Sequence, residues 1–164
     1  TIAATDGSNV AAGSDRLSVT VSESTMTKLA VSLTSPQING TAFTGTNTLT
    51  AQDAYGNTVT TFAANTNNVT VTTSLTGTIS GLGSGVNNVL NQAGDFVSGV
   101  ANLTSLGLKF TGTSGAGTFT FTPASGTAAT SSSITVSPGA ATKLVVTKQC
   151  VIALVLEIIG DLLR

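Results

Sequence analysis

Apolar and polar positions alternate along most of this chain with a period of two. Leu17, Val19 and Val21 are separated by Ser and Thr, and Leu29, Val31 and Leu33 follow with Ala30 and Ser32 between them. The same beat returns at Leu49 and Ala51, Val69 and Val71, Phe119 and Phe121, and Ile134 and Val136. Each run is short, rich in β-branched residues and bounded by Gly, Asn, Ser or Pro, as expected of a strand with one face on a core. Threonine on the outward face favours extended backbone without adding charge. Turn signals stand at Asn39-Gly40, Tyr55-Gly56-Asn57, Asn65 to Asn68, Ser114-Gly115 and Pro138-Gly139. Seven or more strands, turning about every ten residues, predict an all-β fold built as an antiparallel β-sandwich.

Two stretches depart from this beat. Residues 77–94 are rich in Gly and Asn and read as a long loop, with a short strand at Ile79 or one helical turn near Val86 to Leu90. The last 15 residues place Val151, Ile152, Leu154, Val155, Ile158, Ile159, Leu162 and Leu163 at helical spacing, with Glu157 and Asp161 opposite. That tail reads as a partner-binding helix, a donated strand or a segment foreign to the rest of the chain.

One phrase occurs twice. LSVTVSESTMTKLAVS runs from Leu17 to Ser32, and SSITVSPGAATKLVVT runs from Ser132 to Thr147. Aligning Lys28 with Lys143 gives an offset of 143 − 28 = 115 residues; Thr20, Val21, Ser22, Thr27, Lys28, Leu29 and Val31 then meet identical residues. A period of domain size is the signature of a tandem array. The expected organisation is the end of a preceding repeat or linker strand over 1–26, a whole sandwich repeat over 27–142, and the start of a next repeat running into the apolar tail over 143–164.

Composition narrows the chemistry. Charged residues make up 8% of the 164, far below the roughly 25% of an average soluble domain. Six Lys and Arg and a net charge of −1 leave no basic patch with which to displace counterions from nucleic acid. Histidine is absent, which removes the commonest general base and the commonest metal ligand together. The lone cysteine, Cys150, lies outside the repeat, so no disulfide or thiolate metal site is expected within it. The opening TIAATDGSN is not a secretory signal, so export would need one upstream, and no run is long enough to span a bilayer as a helix.

Lys28, Lys109, Asp53 and Asp95 are the repeat's whole charged inventory, too little for convergent catalysis, and neither an enzyme nor a cofactor is expected. Asp53 can accept backbone N–H bonds across its turn, while Gly56 and Asn57 tolerate positive φ and Tyr55 packs over the turn to cap the core. Asp53 and Asn57 are also the only candidate calcium ligands, although calcium wants more carboxylates. Lys109, in the apolar run LGLKFTG, is a candidate lysine for an intramolecular isopeptide bond; a snorkelling side chain is the plainer reading, as it is for Lys28 at the repeat junction. Asn39, Asn68 and Asn102 each open an N-x-T glycosylation pattern.

The phrase FTGTNTLTAQDAYGNTVTTF, from Phe43 to Phe62, with its DxxGN turn at Asp53 to Asn57, resembles the bacterial Ig-like domains found in tandem in large surface proteins, including the invasin and intimin group of adhesins. Phe96 to Ala101 with Thr118 to Phe121 resembles that family's closing strands, and TKLAV and TKLVV its repeat junctions. The likeness covers residues 28–147 or thereabouts. It implies an Ig-like β-sandwich and a non-catalytic module of an extracellular prokaryotic stalk or adhesin. The partners implied are neighbouring repeats, with host or cell-surface glycans or proteins as further candidates. The rival expectation is the subunit of a surface filament or sheath, self-assembled by strand complementation between neighbours. A carbohydrate-binding module would want an aromatic platform, for which Tyr55 alone is thin.

Overall fold

The computed structural model describes residues 24–83, 87–143 and 145. Among the described residues twelve short strands and one helical turn follow one another: β1 (Lys28–Ser32), β2 (Gln37–Ile38), β3 (Thr48–Gln52), β4 (Val69–Thr73), β5 (Gly77–Ser80), β6 (Val89–Leu90) and β7 (Val100–Asn102). Then come α1 (Leu103–Leu106), β8 (Lys109–Gly112), β9 (Gly115–Gly117), β10 (Phe119–Pro123), β11 (Ala129–Thr130) and β12 (Ile134–Ser137). The expected all-β sandwich is the fold the chain adopts. Among the described residues no helix is long and apolar enough to cross a membrane. The strand expected at Leu17 to Val21, Val86 and the whole of the apolar tail lie outside the described residues.

One layer is the sheet β1-β3-β7, antiparallel throughout, with Leu29 opposite Ala51 and Leu49 opposite Ala101. The other layer is built around β10, which pairs with β11 on one side and with β4 on the other, β6 following beyond β4. β9 leads into β10 and β11 leads into β12, and β9 and β12 also pair, so the two halves continue one another. The join is uneven: Thr118 and Phe119 face Ser131, Ser132 and Ser133 on the partner strand. Ser131 fills the irregularity by accepting the Phe119 N–H at its Oγ (3.0 Å) while its own N–H reaches the Phe119 carbonyl (2.9 Å). A separate two-stranded ribbon, β5-β8, sets Ile79 opposite Phe110.

The sandwich is not purely antiparallel. β2 runs parallel to β12, Val136 beside Gln37 and Ser137 beside Ile38, and Lys28 makes a parallel bridge with Thr127. The first part of the chain therefore contributes β1 to one sheet, beside the segment that leads into β11, and β2 to the edge of the other, beside β12.

Period-two burial fills the space between the layers. Leu49, Ala51 and Ala101 from one sheet join Val69, Val71, Phe119, Phe121, Ile134 and Val136 from the other in a single cluster. Phe119 is its centre, with edge-to-face contacts to Phe43 (centroids 5.4 Å apart) and Phe110 (5.9 Å). Each such pair adds about 1 kcal/mol beyond the area it buries. A third pair, Phe62 and Phe96 at 4.7 Å, closes the end of the core near β7.

The stretch 77–94 is more ordered than a loop. β5 occupies the place of the strand expected at Ile79, and β6, not a helical turn, holds Val89 and Leu90. The helix lies elsewhere, at α1, where Asn102 caps it by accepting the Ser105 N–H and Gly107, at φ 88°, ends it. The strand expected from Phe96 is shorter than the resemblance implies. Residues 95–99 turn first, Val97 pairing back with Val100, and β7 begins only at Val100.

Candidate functional site

β3 leads directly into the turn Asp53 to Asn57. Asn47, Leu49, Ala51 and Asp53 are all buried, so the inward face of this strand begins and ends on a polar side chain. At Asp53, one carboxylate oxygen accepts the N–H groups of Tyr55 and Asn57, both at 2.9 Å, and the other accepts the Asn57 side-chain amide at 3.0 Å. The backbone closes the same loop: the Asp53 N–H reaches the Asn57 carbonyl at 2.9 Å, and Gly56 donates to the Asp53 carbonyl at 3.2 Å. The Asn57 amide beside it holds the Asp53 carboxyl below its ordinary pKa; burial opposes this, and backbone N–H groups of Asn57, Tyr55 and Gly56 reinforce it.

The sequence pairs Asp53 with Asn57, and the structure does bring them together, as acceptor and donor. Both carboxylate oxygens already face N–H donors, which is the arrangement of a locked turn and not of a cation cage. Among the described residues no three acidic, Cys or His side chains converge on a point. Tyr55 departs from expectation. It is 89% exposed at the tip of the turn and caps no core, because the Asp53 lock pulls the backbone inward beneath it and leaves the ring outside.

A second acidic turn stands on the next strand's approach. Asp95 is buried and accepts the N–H groups of Asn91 (2.8 Å) and Gln92 (2.9 Å). The two turns are joined through Gly99, whose carbonyl accepts the Ala51 N–H at 2.9 Å. Gly99 has φ 77°, and a methyl group there would run into the Val59 carbonyl, so only glycine lets this turn approach the Thr58-Val59 segment. Val97, 71% exposed, therefore sits at the same end of the sandwich as Tyr55.

That end is also where β1 begins. Lys28 opens β1 opposite Gln52, and its Nζ reaches the Ala54 carbonyl at 3.5 Å. Thr27 is already fixed, donating to Gln52 and accepting from Thr127. The last strand leaves from the opposite pole. There Asn39 donates its N–H to the Ser137 carbonyl at 2.9 Å, and its side-chain amide binds Gly112 in both directions.

Lys109 lies half-buried on β8, opposite Ser80 and bridged to Ala42. Asp53 and Asp95 are both engaged within their own turns. Of the three glycosylation patterns, Asn39 has its amide committed to Gly112, Asn102 is exposed but caps α1 through its oxygen, and Asn68 is exposed just before β4.

A buried polar hub escaped the sequence reading. Asn47, fully buried, accepts the Thr34 N–H (2.8 Å) and donates to the Thr44 carbonyl and the Thr104 hydroxyl (both 2.9 Å), while Gln37 clamps Thr34 and Thr44 from the other side. The signal was available in the phase of Asn47, two residues before Leu49 on the inward face.

An open groove of about 400 Å³ runs along β4 and β5, between Val71, Thr73, Leu75, Thr78, Ile79 and Asn88, and no charged side chain lines it. It offers contact area and hydrogen bonds but no reactive group. No protein-family model matches the chain, and no curated protein matches it either.

Proposed function

We propose that this chain carries a non-catalytic Ig-like repeat module of an extracellular prokaryotic stalk or adhesin, acting as a structural spacer and adhesive rod on the cell surface. The observation that carries the reading is the placement of the two ends. β1 enters beside the Asp53 turn, β12 leaves beside Asn39, and the parallel pairing of β2 with β12 sets those points at opposite poles. Copies joined in this way extend in a line, and the phrase repeated at 115 residues supplies the joints. The strand order supports an Ig-like assignment: β1-β3-β7 face a second layer in which β2 forms an edge on β12, and β12 pairs in turn with β9. The short charged inventory, whose two carboxylates are engaged in turns, supports a mechanical over a chemical role.

The test is to duplicate residues 23–137 in place, so that a second copy follows Ser137 directly, and to compare small-angle scattering of the original and extended chains. A stalk module gives a monodisperse monomer whose maximum dimension grows by one module length. Concentration-dependent fibres would favour the filament subunit instead, and a globule of doubled volume would overturn both.

A further inference from the structure

The described residues expose few large apolar side chains, and three of them mark the poles. Tyr55 (89%) and Val97 (71%) stand at the entry pole, and Ile38 (53%) stands at the exit pole. We infer that in the array the entry pole docks on the exit pole of the preceding copy, Tyr55 and Val97 packing against that copy's Ile38 and its Asn39-Gly40 turn. This rests on the stalk reading above and adds to it a fixed joint between modules.

The occupant follows from the chain itself. Ser137 ends β12 and is held by Asn39, and its counterpart at the 115-residue offset is Ser22. Thr27 is already bound to Gln52 and Thr127. Five residue steps thus separate two fixed points, a reach of at most about 18 Å. A preceding copy cannot swing clear of Tyr55 on such a tether, and at this length the effective concentration of one pole at the other is on the order of millimolar or above. Even a contact of low intrinsic affinity then forms.

Both surfaces are preformed. Tyr55 is presented by a turn with three hydrogen bonds to one carboxylate, so little backbone freedom is lost on docking. Val97 is held by its pairing with Val100, and Ile38 by its place in register beside Ser137. An exposed tyrosine on a rigid support is a typical anchor of an interface. The two apolar spots occur at opposite poles of one module, so the contact is head-to-tail and continues from copy to copy.

Tyr55 is the only tyrosine in a chain without tryptophan, so it reports on its own burial. In the chain with residues 23–137 duplicated, Tyr55→Phe in the upstream copy leaves a single fluorophore at the junction. Collisional quenching by acrylamide is expected to fall about threefold relative to the original chain, as a ring in a water-excluding contact requires. Ile38→Ser in the upstream copy, at an exposed position, is expected to restore quenching without changing the melting temperature. An extended two-module scattering profile with a fully quenchable Tyr55 overturns the joint and leaves the stalk reading standing. Protection that persists in the Ile38→Ser variant also overturns the pairing proposed. A profile that is not extended removes the stalk reading, and the joint with it.

Discussion

Asp53 is a carboxylate held ionised by its surroundings, and its effect on stability has a definite sign. Because its pKa is lower in the folded chain than the ordinary value of about 3.9, the unfolded chain takes up its proton first as pH falls. Its contribution is complete above that ordinary value and is lost as pH drops through the folded one. Asp53→Asn is therefore expected to melt below the wild type at neutral pH, with the gap closing under acid, as thermal scans across the acid range would record. Calcium or a chelator is expected to leave the melting temperature unchanged, since both carboxylate oxygens face N–H donors. Asn47 is the more costly residue to lose. Asn47→Ala strands the Thr34 N–H beside a buried hole and strips one donor each from the Thr44 carbonyl and the Thr104 hydroxyl, and denaturant titration is expected to read a loss of about 3 kcal/mol.

At the scale of elements, the sandwich depends on aromatic packing at Phe119 and on a close approach at Gly99. Phe119→Ala is expected to cost about 4 kcal/mol, because the ring touches both Phe43 and Phe110 and its cavity cannot collapse around them. Gly99→Ala combines a positive φ with a collision at Val59, and equilibrium unfolding is expected to show a loss of about 2 kcal/mol. The central strands were legible in sequence because their alternation is strict: β1, β3, β4, β10 and β12 each carry the expected apolar pair. The pieces that pattern reading passed over are β2, β6, β9 and β11, two or three residues long, too short for any period to register. The turn at Asp53 was readable because its hydrogen bonds are local, within four residues. The hub at Asn47 joins residues up to 57 apart, which local sequence reading does not reach. Tyr55 was misplaced for a related reason, since apolar character alone does not say on which side of a locked turn a ring will lie.

For the whole molecule, direction matters as much as fold. The entry and exit points lie at opposite poles, and β2 and β12 run the same way along one edge. Tension applied between the termini would then pull these neighbours past one another lengthwise, so that their backbone bonds bear load together instead of opening one by one from an end. Lys28 to Ser32 is stretched in the same sense along β3, which offers five paired positions. Single-molecule pulling through the two ends is expected to need a markedly higher rupture force than pulling the same fold through attachments at Lys28 and Gln52, which would peel β1 from β3. A parallel edge pair of two residues thus makes the fold resist being drawn out along the axis that joins its entry and exit points.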